Sequence, residues 1–186
     1  VPHDVGGLMK IMGGNARFIA KLDTMFEKGY YWHGNEPGHH TAYMYAYAGA
    51  PWKTQRQVRQ LIREEYTADP GGLSGNEDGG QMSSWVVFSM MGFYPVCPGK
   101  PYYVLGSPSF EEASVQMGNH KFFTIKTVNN SPENCYIQSA ILNGKPFTKP
   151  YLTHRQLAEG GTLLINMGPK PKVTWGNNAA ELSSVF

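Results

Sequence analysis

The sequence predicts an α+β protein in which helices come first and strands follow. Two observations support this: apolar residues recur with helical spacing in the first half, and short β-branched and aromatic segments separated by Gly, Pro, Asn and Ser fill the second half. We therefore expect a helical region over 1–95 and an antiparallel β-sandwich or sheet over 96–186. Residues 95–101 mark the boundary, which is too short for a free linker.

The first two helices have recognisable start and stop signals. Asp4 can cap a short helix that ends near Met12, ahead of two glycines. Asn15 can cap a second helix, whose apolar residues recur at three- and four-residue spacing and which Gly29 closes. The second helix should therefore place one apolar face against the core.

Three further helical segments follow in the first half. The segment 41–48 is rich in Tyr and Ala and is interpreted as a buried helix, although its alternate tyrosines also suit a strand. Pro51 can open the next helix, which the glycines after Asp69 stop. The segment 81–91 is apolar on most sides, so we expect a buried helix.

Six short segments in the second half are predicted to be strands. Turn signals separate them, and Asn143-Gly144 and Gly118-Asn119 are the pairs typical of tight hairpins. The predicted strands are 102–105, 113–117, 122–128, 136–142, 162–167 and 173–175.

The composition excludes some classes of function. The chain has 186 residues, 41% of them hydrophobic and 13% aromatic, which is enough for a folded core. Its formal net charge of +2 forms no basic run, so we expect no nucleic-acid partner. No apolar run approaches the roughly 20 residues that span a bilayer, and the start of the chain lacks a signal-peptide pattern. Cys97 and Cys135 match no metal-ligand spacing, and a disulfide between them stays open.

Two similar loops are the candidate functional features. Each carries Gly-Asn-Glu ahead of a helical segment, at 34–36 and at 75–77, and Asp78 follows the second. Side chains of Asn, Glu and His bind sugar hydroxyls or hard cations, although acidic residues ahead of a helix can also serve simply as caps. Because two helices can present their N-terminal ends to one pocket, we expect the loops to approach each other and frame one site.

Five motifs in a fixed order point to a known family. They are VPHDVGGL at 1–8, HGNEP at 33–37, YAGAPWKTQ at 47–55, GNEDGGQMS at 75–83 and GFYPVCPG at 92–99. The chain resembles the C-terminal part of glycoside hydrolase family 92, the calcium-dependent alpha-mannosidases. The resemblance implies that the N-terminal helices are part of an (α/α)6 barrel. It also implies that the parent protein is an inverting, exo-acting, alpha-1,2-mannosidase-like enzyme that acts on mannose-containing glycans.

The resemblance also implies roles for individual residues. Asp78 would be the general base, with Asn76 or Glu77 helping to hold the nucleophilic water. Asn35 and Glu36 would belong to the calcium site, where the cation binds the mannose O2 and O3 and helps to distort the ring. Substrate contacts are expected from His33 and Glu36. Oxygen-rich ligands fit calcium rather than zinc, despite three nearby histidines.

The resemblance further implies that the chain is a fragment. The family's general acid is a Glu on a segment that would precede Val1, and nothing here matches its surroundings. The chain alone is therefore expected to be inactive, with the remainder of its own full-length chain as its partner. A periplasmic or secreted location is likewise implied by the family only.

Three other interpretations stay open. A non-catalytic carbohydrate-binding module would bind sugar without needing Asp78. A structural module would show neither sugar binding nor calcium dependence. Another (α/α)6 glycosidase would be distinguished by the stereochemistry of its product.

Overall fold

Six α-helices and eight β-strands make up the part of the chain that the structure describes, confirming the α+β class. The structure is a computed structural model that describes residues 2–118, 120–178 and 182, so Asn119 of one predicted turn lies outside the described residues. The helices are α1 (Val5–Ile11), α2 (Asn15–Glu27), α3 (Met44–Tyr47), α4 (Pro51–Glu65), α5 (Gln81–Met91) and α6 (His154–Glu159). The strands are β1 (Phe93–Tyr94), β2 (Tyr102–Leu105), β3 (Glu112–Gln116), β4 (Phe122–Val128), β5 (Tyr136–Leu142), β6 (Lys145–Phe147), β7 (Tyr151–Thr153) and β8 (Gly161–Gly168).

The predicted helices of the first half are confirmed, with local differences. The Asp4 carboxylate caps α1 by accepting a backbone hydrogen bond of 2.7 Å, as expected. At the start of α2 the cap position is Gly14, and Asn15 is already inside the helix. The segment 41–48 is helical, because a 3₁₀ turn at Thr41–Tyr43 leads directly into α3. Its side chains are buried, which explains the dense Tyr and Ala composition.

Helix α5 is buried along one stripe only, so the prediction of a fully buried helix is wrong. Met82, Trp85 and Ser89 are buried, whereas the Val87 side chain on another face is 54% exposed. The sequence of α5 is apolar on most sides, and periodicity therefore could not indicate which face contacts the other elements. The buried stripe directs Trp85 toward the loop that precedes α3, where it contacts His33 and His39.

The strands form two sheets. The smaller is antiparallel with the order β1-β2-β7, and the larger has the order β3-β4-β8-β5-β6. The prediction of antiparallel pairing is wrong at one place, since β4 and β8 are parallel from Phe123 and Gly161 onward. Strand β8 lies between β4 and β5, which run in opposite directions, so it has to be parallel to one of them.

One other local prediction in the second half is wrong, and one pair of elements was not predicted. The segment 173–175 is a turn rather than a strand, and Trp175 is buried with its indole N–H donating to a backbone carbonyl of β6. The segment 151–159, for which the sequence analysis gave no element, forms β7 and α6. A capping box between Thr153 and Gln156 fixes the start of α6.

Two apolar clusters hold these elements together. The first surrounds Trp85 and Tyr43 in the helical half and extends to Val104 of β2 and Tyr151 of β7. The second is built on inward-facing residues of the larger sheet, including Leu163 of β8. Side chains from both halves of the chain share the first cluster, and the division into 1–95 and 96–186 stays a prediction.

Arg59 of α4 connects the helices with the loops of the larger sheet. Its guanidinium donates to the backbone carbonyls of Ser107 and Ser131, each at 3.3 Å, and also to the Pro108 carbonyl and the Asn130 side chain. Burial lowers the pKa of Arg59. One half-buried cation thus satisfies acceptors from two separate loops.

The structure shows the state of both cysteines. Cys97 and Cys135 are both buried free thiols, so no disulfide joins them. Burial raises the pKa of the Cys135 thiol, as expected for an inert core cysteine.

Among the helices of the described ranges, none is long and apolar enough to cross a membrane.

Candidate active site

The two Gly-Asn-Glu loops cross each other backbone to backbone. A Cβ atom built on Gly34 would lie 2.6 Å from the Ser74 carbonyl oxygen, and one built on Gly75 would lie 2.3 Å from the Gly34 carbonyl oxygen. Both distances are shorter than the contacts that Cβ atoms make in real proteins, so only glycine permits this crossing. The expected approach of the two loops is therefore confirmed.

A cavity of about 380 Å³ opens beside this crossing. Its polar wall combines Glu36 and two histidines from the first loop with Asp78 and Gln81 from the second, and Tyr94 of β1 completes it. The full set of lining residues is Pro2, Glu36, Pro37, His39, His40, Asp78, Gln81, Tyr94, Val96 and Pro98. Pockets of this size, with a few convergent polar groups, are typical of small-molecule sites.

Asp78 presents an open carboxylate to this cavity. Its backbone has a φ of 54°, and Gly79 and Gly80 follow with φ values of 64° and 102°. Positive φ is costly for a residue with a side chain and is concentrated at functional sites. Asp78 is exposed, and within the described part of the chain no hydrogen bond ends on its carboxylate. Its oxygens are thus available to water or to a ligand.

Glu77 is engaged as a helix cap instead. Its carboxylate accepts hydrogen bonds from the backbone N–H groups of Gly80 and Ser83 at the start of α5. Hydrogen bonding from the Ser83 side chain, helped by these two N–H groups, lowers the pKa of Glu77 against a smaller opposing effect of desolvation. The capping interpretation therefore applies to Glu77, whereas Asp78 beside it is open.

Because the pKa of Glu77 is lower in the folded state, its contribution to stability should depend on pH. It should be fully present above the unfolded pKa, near 4.5, and should be lost as pH falls through the lower folded value. We expect Glu77→Gln to melt at a lower temperature than the wild type at neutral pH. Below the folded pKa the two melting temperatures should converge. A constant difference from acid to neutral pH in thermal melts would contradict the capping role.

The remaining predicted site residues occupy different surroundings. Glu36 is half-buried in the cavity wall, whereas Asn35 and Asn76 are exposed and are absent from the described residues that line the cavity. His33 is 0% exposed and stacks on His39 of the cavity wall, with ring centroids 4.5 Å apart. Its substrate contact stays a prediction, as do the roles of Asn35 and Asn76.

His33 is held between two tyrosine hydroxyls. Its Nδ1 lies 2.7 Å from the Tyr31 hydroxyl and its Nε2 lies 2.7 Å from the Tyr66 hydroxyl. Burial, followed by the neighbouring His39, lowers the pKa of His33 to about 3. Burial also lowers the pKa of His39, and it lowers that of His40 to about 4. All three rings are therefore neutral at neutral pH.

The sequence analysis did not assign a role to His39, Gln81 or Tyr94. The Gln81 side-chain nitrogen lies 3.1 Å from His39 Nδ1 and 3.0 Å from the Tyr94 hydroxyl. Gln81 and Tyr94 belong to two of the five motifs, and His39 is one of the three histidines near the first loop. A signal for Gln81 was available, because it lies three residues after Asp78 at the first position of a helix.

The comparison with known families decides the assignment. The model of the glycosyl hydrolase family 92 catalytic domain matches residues 1–169. The chain belongs to glycosyl hydrolase family 92. This agrees with the resemblance inferred from the five motifs.

Family 92 relatives are considerably longer than this chain. An uncharacterized secreted glycosidase of Arthroderma benhamiae is 36% identical over 185 residues, which is 98% of this chain and 24% of the relative. The structure of a family GH92 inverting mannosidase from Bacteroides thetaiotaomicron has a TM-score of 0.90 and 39% identity, covering 97% of this chain and 28% of that protein. The structure of a family GH92 alpha-mannosidase from the same bacterium has a TM-score of 0.90 and 40% identity, covering 95% of this chain and 25% of that protein. The chain thus spans about a quarter of these family members.

The described residues of this family 92 chain do not provide a complete calcium site. Calcium takes about six to eight oxygen ligands. In the described ranges no group of three or more His, Cys, Asp or Glu side chains could hold a metal ion. Glu36 and Asp78 are the carboxylates in the cavity wall. They fit calcium only as members of a larger ligand set.

Proposed function

We propose that this chain is part of an inverting, exo-acting alpha-mannosidase, alpha-1,2-mannosidase-like, that removes mannose from glycans. The observation that carries the proposal is the open Asp78 carboxylate, facing a sugar-sized cavity in a chain of family 92. The similarity to an inverting mannosidase and to an alpha-mannosidase supports the choice of substrate.

In this proposal Asp78 is the general base. Inversion needs one carboxylate that takes a proton from the attacking water and one carboxylic acid that protonates the leaving oxygen. Asp78 suits the first role, because no other described side chain occupies its oxygens. The general acid would come from another segment of the full-length protein, as the much longer relatives allow. The 186-residue chain alone should then be inactive.

Calcium is part of the same proposal. Glu36 would supply a carboxylate ligand from the cavity wall and Asn35 an amide oxygen from the adjoining turn, with further oxygens from other parts of the full-length protein. When bound, the cation would hold the mannose O2 and O3 and favour a distorted ring. A periplasmic or secreted location is also proposed, supported by the relative named as a secreted glycosidase.

The test is hydrolysis of alpha-linked mannobioses by the full-length protein, followed by ¹H NMR from the first minutes. Inversion predicts that β-mannose is formed first and that the α anomer grows later by mutarotation. An initial α product would overturn inversion, and absence of mannose release from every linkage would overturn the mannosidase assignment.

A chelation arm tests the metal in the same experiment. We expect EDTA to lower the rate of mannose release and millimolar calcium to restore it, because the loss of the cation removes contacts to two sugar oxygens. Zinc should not substitute, since the proposed ligands are hard oxygens. A rate that is unchanged after exhaustive chelation would remove calcium from the proposal.

A further inference from the structure

We infer that Tyr94 and Gln81 bind the sugar as a hydrogen-bond donor and a hydrogen-bond acceptor. His39 determines which of the two donates and which accepts. The Tyr94 hydroxyl would donate a hydrogen bond to one sugar oxygen, and the Gln81 side-chain carbonyl would accept one from a neighbouring hydroxyl. This inference rests on the proposed function and adds two substrate contacts and one positioning residue to it.

The first step is the tautomer of His39. Its Nε2 lies 2.9 Å from the backbone carbonyl oxygen of His33. A carbonyl oxygen only accepts, so the hydrogen must be on Nε2. Burial keeps this ring neutral by lowering its pKa, although the hydrogen bond to His33 and, less strongly, the nearby Asp78 charge act in the opposite direction. The Nδ1 atom of His39 is therefore an acceptor.

The second step is the orientation of the Gln81 amide. Its nitrogen lies 3.1 Å from His39 Nδ1, which accepts, and 3.0 Å from the Tyr94 hydroxyl. The opposite orientation would place the amide oxygen against a lone pair of His39, so the ring dictates which end of the amide faces it. Both N–H bonds of Gln81 are then used. Its carbonyl oxygen accepts no hydrogen bond from a described residue, and Gln81 lines the cavity.

The third step is the direction of the Tyr94 hydroxyl. Since its oxygen accepts from Gln81, its own proton is left to donate elsewhere. Within the described ranges this proton has no protein acceptor, and Tyr94 lines the cavity. The ring is held in place by stacking on Tyr43, with centroids 5.0 Å apart, and is 8% exposed. A rigid buried donor of this kind requires an acceptor from whatever occupies the cavity.

A sugar ring supplies the matching groups. Neighbouring hydroxyls on a pyranose can accept and donate at the same time, so one pair can satisfy both the Tyr94 proton and the Gln81 oxygen. Asp78 is not needed for these contacts and stays free to act on water. His39 touches no sugar in this arrangement and is a positioning residue.

The experiment compares Tyr94→Phe and Gln81→Glu in the full-length protein, using alpha-mannobiose and its monodeoxy analogues. We expect Tyr94→Phe to lower kcat/KM by about 10- to 100-fold, because a sugar oxygen loses its donor. On the deoxy analogue that lacks this oxygen, wild type and variant should differ by less than about threefold. A merely structural role would lower the rates on every analogue equally.

Gln81→Glu tests the direction of the hydrogen bonds that link His39, Gln81 and Tyr94. A carboxylate only accepts, so the Tyr94 hydroxyl would turn toward it and the cavity would lose its donor. The double variant Gln81→Glu/Tyr94→Phe should then have a kcat/KM less than about threefold below that of Gln81→Glu alone. Tyr103→Phe is the matched control, since the Tyr103 hydroxyl bonds His154 rather than the cavity, and it should leave the rates unchanged.

The failures of the two proposals are distinguishable. If Tyr94→Phe hydrolyses every analogue at the wild-type rate while Asp78→Asn is inactive, the inference is wrong and the proposed function stands. If the losses of kcat/KM in Gln81→Glu and Tyr94→Phe multiply in the double variant, the inferred direction of the hydrogen bonds is wrong. A wild-type rate for Asp78→Asn would overturn the proposed base instead.

Discussion

Asp78→Asn in the full-length protein is expected to lower kcat for mannose release by about 10²- to 10⁴-fold, the usual contribution of a positioned general base. The amide matches the carboxylate in size but cannot accept the proton of the attacking water. KM should change less, because binding does not need the negative charge. Steady-state kinetics on alpha-mannobiose provide the measurement.

Asp69→Asn is the matched control for this experiment. Asp69 is another exposed carboxylate in the segment between α4 and α5, but it accepts hydrogen bonds from Thr67 and Gly71 rather than lining the cavity. We expect its kcat to stay within about twofold of the wild type. Activity of Asp78→Asn close to this control would show that Asp78 is not the base.

The second large effect concerns stability. Arg59→Met should lower the free energy of unfolding by about 1.5–3 kcal/mol, because it leaves partly buried carbonyl oxygens in two loops without their charged donor. The methionine retains much of the apolar packing of the arginine stem, so the loss reports mainly on hydrogen bonding. Urea denaturation followed by circular dichroism measures the difference.

Arg63→Met provides the comparison on the same helix. The Arg63 side chain is 71% exposed and pairs with Glu64 at the surface. Such pairs contribute little, so we expect a change below about 0.5 kcal/mol. Equal effects of the two substitutions would contradict the role of Arg59 in connecting α4 to the sheet loops.

Local structure could be predicted where short-range chemistry determines it. Pro51 begins α4 as expected, and Asn143-Gly144 forms the turn between β5 and β6 with φ values of 49° and 80°. The position of β8 could not be predicted in this way. Its insertion between β4 and β5 depends on pairing between segments about 20 to 40 residues apart, which no local pattern records.

The candidate site shows the same limit. The two loops and Asp78 could be proposed from residue types, but the separation of roles between Glu77 and Asp78 could not. Adjacent in sequence, they differ because the chain turns through positive φ at Asp78 and directs Glu77 back to the helix. The contact between His39 and Gln81 joins residues 42 positions apart and depends on how the loops pack.

The crossing of Gly34 and Gly75 has a consequence for protein engineering. Since the backbone of each loop leaves no room for a side chain at the facing glycine, neither loop can be exchanged independently of its partner. Grafting a single loop from a homologue would bring together two backbones shaped for different neighbours. Libraries that aim at new sugar specificity should therefore transplant 32–40 and 74–81 together, as one cassette.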